Sequence, residues 1–567
     1  MIAPTGLIPL QTESDLHMME SADLVIVNGR VFDGTIRTES TAVATADGRI
    51  VRVGTDARVQ ELAGLETRII DADGGLIHPG FVDAHVHAAF AGVERLSIDL
   101  TQALSVSETL ELVRVGAEAS ETGWVTGGGW SHELFPMPTR HDLDAIVPDR
   151  PVALSDAGHH TLWVNSKALE LAGVDRTTPQ PHNGHIHLDE QGDPIGYLNE
   201  TAAELVGRMI PRSTDDEIYA GLLNAQEYLW SLGVTGWHEA ILGEYNGKAD
   251  CTAGYLRAIA EGTLKSDTSG ALWIAPGLQR EEVPALVARF VELRERNAVA
   301  GFSTSTAKAM IDGVPHGETA ALLEPYCNHS GDGFSGEMHF DEETIRDFVA
   351  QLDAAGFALH LHIMGDRGIR VALDAIEAAR AANGAGPRHH IAHLSMVQTE
   401  DAQRFGPLGI TANIQGLWAA PDPFVVSLIG EERMQQGYPF RTMVDGGADL
   451  AMGSDWPVSP ADPWLAIHVT VNRWAPPPPG AKVPSLSAGA QPPTLDAEHQ
   501  ALTLVQALTA YTNGSTELVL GRPGRVRLGE RADIAIATGD PFEMPGEAIA
   551  SLQTAVTIVG GEVVFER

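Results

Sequence analysis

Short apolar runs alternate with longer amphipathic stretches along the chain from Ile77 onward. This alternation is typical of a parallel α/β architecture, in which each buried strand is followed by a helix that returns the chain to the same edge of the sheet. The candidate strands begin at Gly80, Gly233, Ala271, Thr306, Ala358, His389, Ile410 and Leu450. Eight such strands predict a (β/α)8 or TIM barrel.

The two ends of the chain carry a different pattern, in which short β-rich runs are separated by glycine turns. Such runs lie at 22–31 and from Ala42, and again from Arg531 and Ala555. We therefore expect a small β-sandwich domain formed from both chain ends, with residues 1–78 and 511–567 flanking a barrel of residues 79–510.

Far more chain separates the first two candidate strands than one crossover helix requires. Residues from about 95 to 230 lie in this interval. We predict that they form an insertion that covers the mouth of the barrel and therefore lies over the substrate.

Charge and cysteine content restrict the partners and the compartment. The net charge of −39 over 567 residues repels phosphate backbones and anionic lipid, so we expect neither nucleic acid nor a membrane as a partner. Cys251 and Cys327 form no CxxC pair, which favours a reducing cytoplasm over a disulfide-rich secreted fold. The partners that we expect are a small-molecule substrate and a second copy of the chain in a homodimer.

Ligand-type residues stand at the ends of four candidate strands. His85 and His87 end the first strand with one residue between them, so both imidazoles point to the same side. His362, His393 and Asp455 end the fifth, sixth and eighth strands. Each residue taken alone is also explained as a polar residue in a turn. Because the strand ends of a barrel meet at its mouth, the set together predicts a site for zinc or a similar divalent ion.

Lys308 stands at the end of the fourth candidate strand, where burial penalises its charge. Two interpretations stay open. A carbamylated Lys308 would supply anionic oxygen ligands that bridge two metal ions. An unmodified Lys308 would pair with a neighbouring carboxylate such as Asp312 or Glu200. The site would then hold a single metal ion or use a different bridging carboxylate, with Glu200 as the first candidate.

Several motifs in this order resemble the amidohydrolase superfamily, specifically amidohydrolase family 3, which includes the N-substituted formamide deformylase-like enzymes. The motifs are HPGFVDAHVH, AKAMIDG, HIMGDRG, HHIAH and GSDWPVSP, together with GGGWSHE and GERADIAIATGDP. The resemblance implies the barrel, the two-ended β-sandwich and a centre of one or two zinc-like ions. It also implies that His85, His87, His362, His393 and Asp455 bind metal, with Lys308 at the position of the bridging lysine.

The chemistry of these residues permits hydrolysis by water activated on a metal. Asp455 would hold the water, accept its proton and return it to the leaving nitrogen. His159 or His160 would help to polarise the substrate carbonyl, unless both are turn residues of the insertion. Trp130, Trp163 and Trp418 are candidates for lining an apolar substrate pocket, and the alternative for each is an ordinary place in the core.

Three functions compete. The first is hydrolysis of a carbon–nitrogen bond in a small neutral amide, with N-substituted formamides as the leading example. The second keeps the metal barrel but acts on a cyclic amide, a carbamate or an ester. The third is a barrel without catalysis that serves as a binding or scaffold protein, and the intact set of five ligand-type residues argues against it.

Overall fold

A computed structural model describes residues 21–101, 103–119, 123–132, 134–156, 161–181, 184–245, 247–476 and 493–567. His159 and His160 lie outside the described residues. At the centre is an eight-stranded parallel sheet whose strands neighbour one another in chain order. In chain order these strands are β1 Phe81–Val86, β2 Val234–Leu242, β3 Asp267–Ile274, β4 Ser303–Met310, β5 Ala358–Ile363, β6 His390–His393, β7 Thr411–Ile414 and β8 Leu450–Met452.

The sheet curls until β8 lies beside β1, which makes a nearly closed TIM-like barrel. Asp83 on β1 links the two ends of the sheet. Its Oδ1 accepts hydrogen bonds from the backbone N–H of Ser454, just after β8, at 3.0 Å and from that of His85 on β1 at 3.1 Å. The Asp455 N–H donates to the His85 carbonyl at 2.7 Å. All eight expected strands are present, within a few residues of their predicted positions.

Helices surround the barrel and follow the start and stop signals of their sequences. Thr214 forms a capping box with Glu217 at the start of Asp215–Ser231, and Asp341 caps Glu342–Ala354. The latter ends before Gly356, whose φ of 80° suits glycine. The longer helices are Ala88–Leu96, Val106–Ala119, Asp215–Ser231, Thr252–Ala260, Val283–Val299, Glu342–Ala354, Asp366–Asn383 and Pro463–Asn472. No described helix is both long enough and apolar enough to cross a bilayer.

A second sheet of six strands interrupts the barrel between β1 and β2. In spatial order its strands are Gly184–Leu188, Pro194–Glu200, Thr161–Val164, Val152–Asp156, Val125–Trp130 and Ile98–Asp99. The chain then returns to the barrel through Asp215–Ser231, which packs on Ala88–Leu96. These two helices approach closely at Gly92 and Gly221, where an added Cβ on Gly92 would lie 1.8 Å from the Gly221 oxygen.

The chain ends form two further sheets. Four N-terminal strands, Ala22–Val27, Ala42–Ala46, Arg49–Gly54 and Ala63–Asp71, make the first. The second joins Arg30–Val31 and Leu76–Pro79 to Ile534–Ala537, Thr554–Val559 and Glu562–Glu566 near the C-terminus. One apolar cluster includes Ile26 and Ile50 of the first sheet and Ile77, Ile534 and Ile558 of the second.

Candidate metal centre

Five ligand-type side chains from four strand ends meet at one end of the barrel. His85 Nε2 and His87 Nε2 each lie 3.2 Å from Asp455 Oδ1. The His393 ring packs 4.8 Å from the His85 ring and 4.2 Å from the His362 ring, measured between centroids. All five are buried. The structure therefore brings together the four histidines and the aspartate that the sequence suggests as metal ligands.

Several polar atoms in this group lack the hydrogen bonds that burial normally demands. Asp455 Oδ1, both ring nitrogens of His393 and Lys308 Nζ have no hydrogen-bond partner among the described residues, and the two short distances to Asp455 lack hydrogen-bond alignment. An unsatisfied buried polar group costs about 1–3 kcal/mol, more when it is charged. A divalent cation among these donors would satisfy them, so the residues present fit a metal ion.

The backbone is strained where two of these side chains emerge. His393 has a φ of 77° and Asp455 a φ of 58°, in the left-handed region that favours glycine. Such conformations cost on the order of 1–3 kcal/mol and persist where the surrounding structure imposes them, often at functional sites.

The protonation states in this group suit metal coordination. Burial, reinforced by the charge of Lys308, lowers the pKa of His85 and of His362 to about 3, so both imidazoles are neutral at pH 7. His362 Nε2 lies 3.3 Å from the Gly313 carbonyl and must donate to it, which leaves the Nδ1 lone pair available. Burial alone would raise the pKa of Asp455, but attraction to the imidazoles of His85 and His87 in their protonated form at low pH holds it well below its ordinary value.

Lys308 on β4 is fully buried beside this group. Burial lowers the pKa of its ammonium group to about 7, although Asp455 acts in the opposite direction. Pairing with Asp312 is not observed, because that carboxylate accepts from the N–H groups of Ala321, Met364 and Gly365 at 2.8–3.0 Å. Glu200 ends a strand of the inserted sheet and is exposed, and its role as a bridging ligand stays a prediction.

The three tryptophans occupy different environments. Trp130 and Trp163 are buried in the apolar core of the inserted sheet, where their indole N–H groups donate to the carbonyls of Leu154 and Thr139. This environment gives both a packing role, and a substrate contact at either stays a prediction. Trp418 follows β7 and stacks on His393, with ring centroids 5.1 Å apart and planes 9° from parallel. Trp418 is therefore the candidate that adjoins the metal group.

Sequence reasoning missed a second group of histidines inside the barrel. His238, His360 and His390, on β2, β5 and β6, are fully buried with ring nitrogens within 4.8 Å of one another. His360 stands two residues before His362, so the two share a face of β5. That spacing in ALHLH was the available signal.

A model of the amidohydrolase family matches residues 68–565 of the chain. The chain belongs to the amidohydrolase family. Membership confirms the resemblance found in the motifs. It also confirms that the protein is an enzyme, a hydrolase of carbon–nitrogen bonds other than peptide bonds.

Individual relatives extend over almost the whole chain. The YtcJ protein of Bacillus subtilis (strain 168) is 29% identical, over 94% of this chain and 96% of its own. N-substituted formamide deformylase of Arthrobacter pascens is 28% identical, over 97% and 99%. An uncharacterized metal-dependent hydrolase from Pyrococcus furiosus, solved by crystallography, superposes with a TM-score of 0.68 at 27% identity, over 92% of this chain and all of its own.

Proposed function

We propose that this amidohydrolase cleaves the carbon–nitrogen bond of a small neutral amide with water activated at a zinc centre. His85, His87, His362, His393 and Asp455 would hold the ion. The single observation that supports this most strongly is the convergence of these five side chains in one buried group, in which Asp455 Oδ1 and both ring nitrogens of His393 have no hydrogen-bond partner among the described residues. Bound zinc would acidify a water molecule and polarise the substrate carbonyl.

Asp455 is the proton carrier in this proposal. Its pKa is held low by His85 and His87, so the carboxylate is ionised at neutral pH and can accept a proton from water. The same carboxyl group then returns the proton to the nitrogen that leaves when the carbon–nitrogen bond breaks. His159 or His160 would support the carbonyl oxygen, and both stay predictions from the sequence.

Lys308 is proposed to act as a carbamate. A pKa of about 7 leaves a large fraction of the amine neutral near pH 7, and only the neutral nitrogen has a lone pair to attack CO2. The nitrogen–carbon bond forms, one proton is released, and the product carries a negative charge. This reverses the sign of a group that would otherwise repel a neighbouring cation.

Trp418 and one relative support the choice of substrate. The indole that stacks on His393 offers a flat apolar surface beside the proposed reaction centre. The relative from Arthrobacter pascens is named for N-substituted formamides. We therefore propose a linear neutral amide with an apolar or aryl group, and N-substituted formamides as the leading class.

The test is a hydrolysis screen on zinc-loaded protein. The substrates would be N-alkyl and N-aryl formamides, N-acyl amino acids, cyclic amides, carbamates and esters, compared by kcat/KM. We expect the highest kcat/KM on a linear neutral amide. A cyclic amide, carbamate or ester as the best substrate would contradict the proposed bond class, and no turnover of any substrate would contradict catalysis by the loaded site.

We propose that the two terminal sheets form one β-sandwich that supports the barrel, and that residues 95–230 select the substrate. A homodimer in the cytoplasm is the proposed working form.

A further inference from the structure

A layer of three histidines lies inside the barrel next to the proposed metal ligands. His238, His360 and His390 project inward from β2, β5 and β6, with the His360 ring 4.2 Å from that of His390 and 5.4 Å from that of His238. The layer contacts the metal group through one bond, between His360 Nε2 and His85 Nδ1 at 2.9 Å. Its ring nitrogens could either coordinate a metal or form hydrogen bonds with one another. The hydrogen-bond partners of each ring distinguish these two roles.

The outer contacts of the layer fix the proton position on two of the rings. Ser269 donates its hydroxyl proton to the Val519 carbonyl at 2.7 Å, so it must accept from His238 Nδ1 at 2.8 Å. The lone pair of His238 is therefore on Nε2.

The opposite arrangement holds at His390. The Asn413 amide donates to the Ala84 carbonyl at 2.9 Å and also faces His390 Nδ1 at 3.1 Å. His390 Nδ1 must then accept, which places the proton of this ring on Nε2.

The His85–His360 bond contains one proton, and its direction depends on what His85 Nε2 binds. When His85 Nε2 gives its lone pair to a metal, the neutral ring carries its proton on Nδ1 and donates it to His360 Nε2. His360 must then carry its own proton on Nδ1. When His85 Nε2 instead carries a proton and faces Asp455, the bond reverses and the His360 proton lies on Nε2.

We propose that His360 is a positioning residue for the metal centre. It accepts the Nδ1 proton of metal-bound His85, and His238 Nε2 is the matching acceptor for the proton that this places on His360 Nδ1. Of the ring nitrogens of the layer, His238 Nε2 and His360 Nδ1 are the two without a hydrogen-bond partner among the described residues. The inference rests on the proposed function, because it requires a metal on His85.

The same assignment argues against a second metal within the layer. His390 Nδ1 is engaged by Asn413, and a loaded His85 places a proton on His360 Nδ1. His238 Nε2 in turn accepts the His360 Nδ1 proton, so none of these three rings keeps a free lone pair, whereas a metal needs several donors at once.

The test measures zinc affinity by competition with a chelator. His360→Leu removes the acceptor and should weaken binding by about 10–100-fold, the usual cost of losing a partner of a metal-binding histidine. His360→Gln keeps an oxygen acceptor near the Nε2 position and should bind zinc nearly as tightly as the wild-type protein. His468→Leu is the matched control, because His468 is equally buried but contacts Asn472 on the helix Pro463–Asn472; its zinc affinity should not change.

A second readout reports the proton positions directly. In ¹⁵N NMR spectra of histidine-labelled protein, zinc should move the His360 proton from Nε2 to Nδ1, and His360→Leu identifies that signal. Circular dichroism checks that each variant is folded.

The outcomes separate this inference from the proposed function. Wild-type protein that fails to bind zinc overturns the proposed function. Tight binding by wild type and equally tight binding by His360→Leu overturns the positioning role alone. Loss of one equivalent of zinc in His390→Leu would show that the layer is itself a metal site and would also overturn it.

Discussion

Two buried carboxylates in this molecule have opposite surroundings. Asp33, just after the strand Arg30–Val31, is 5% exposed, and Asp455, at the barrel mouth, is 6% exposed. Asp33 accepts hydrogen bonds from the N–H groups of Thr35 and Ile36 and from the Arg527 guanidinium, at 2.7–3.0 Å. Asp455 Oδ1 faces two imidazole nitrogens at 3.2 Å without a hydrogen bond to either.

The difference shows that two carboxylates with nearly equal exposure can have opposite effects on stability. A carboxylate with a full set of donors stabilises the fold around it. A carboxylate left unsatisfied, on a backbone with positive φ and beside neutral imidazoles, costs stability that a bound cation would return. We therefore propose that Asp33 stabilises the fold and that Asp455 takes part in the chemistry.

Replacing each carboxylate by its amide is the strongest test of this difference. Asp455→Asn should lower kcat by at least ~10²-fold, since it removes the proposed general base while preserving shape. Asp33→Asn should leave kcat per folded molecule unchanged and lower the free energy of unfolding by about 2 kcal/mol, because it weakens charged hydrogen bonds. Steady-state kinetics and urea unfolding on both variants give the four values. Equal effects of the two substitutions on kcat would remove the distinction.

Lys308 extends the test to another unsatisfied side chain of the metal group. Lys308→Ala should lower activity by about 10–100-fold and remove at least one bound metal, because it deletes the proposed carbamate oxygens. A small added carboxylate such as acetate should restore part of the activity. Carbonate-free buffer should reproduce part of the loss in the wild-type protein. Full activity and metal content in Lys308→Ala would show that the lysine does not bridge metals.

Trp418 and Trp163 provide the same contrast among aromatic residues. Trp418→Ala should change the ratio of kcat/KM between aryl and alkyl substrates a few-fold, as expected for loss of a stacking surface worth about 0.5–1.5 kcal/mol. Trp163→Ala should instead destabilise the inserted sheet, with substrate ratios retained. Competition assays with paired substrates and thermal unfolding distinguish the two. A change of substrate ranking in Trp163→Ala and not in Trp418→Ala would indicate that the inserted sheet, not Trp418, lines the substrate pocket.

His78 is a buried histidine that takes no part in the proposed reaction, so it shows the effect of burial alone on stability. It lies among Phe81 and Trp464, and burial lowers its pKa to about 4 from 6.5. The unfolded chain therefore binds a proton first as the pH falls, and stability decreases between about pH 6.5 and pH 4, by about 1.4 kcal/mol per unit.

The variant His78→Asn keeps a donor near the Nδ1 position but cannot titrate. Its free energy of unfolding should therefore fall less than that of the wild type between pH 7 and pH 5, by about 2 kcal/mol. Urea unfolding at the two pH values measures the difference. An identical fall in both proteins would show that His78 does not contribute to acid sensitivity.

The sequence predicts the barrel and the convergence of the five candidate ligands at its mouth because both depend on local periodicity. Apolar runs mark all eight strands, and a residue at a strand end must lie at the barrel mouth. The histidine layer was missed for a different reason. His238 and His390 each stand beside another polar residue, Glu239 and His389, so one-letter pattern alone does not show which of the pair points inward.

The sequence also does not predict the environments of Trp130 and Trp163. Both lie in strands of the inserted sheet, and which face of a strand is buried depends on strand pairings that are distant in the chain. Whether Lys308 is paired also depends on its three-dimensional surroundings. The sequence offers Asp312 as a partner, but in the structure the Asp312 carboxylate accepts hydrogen bonds from three backbone N–H groups.

Metal content measured together with activity tests the central claim most directly. Purified protein should contain one or two zinc-like ions per chain by elemental analysis, lose amide hydrolysis when a chelator removes them, and regain it when zinc is added back. Full hydrolytic activity in protein with far less than one metal ion per chain would contradict the account.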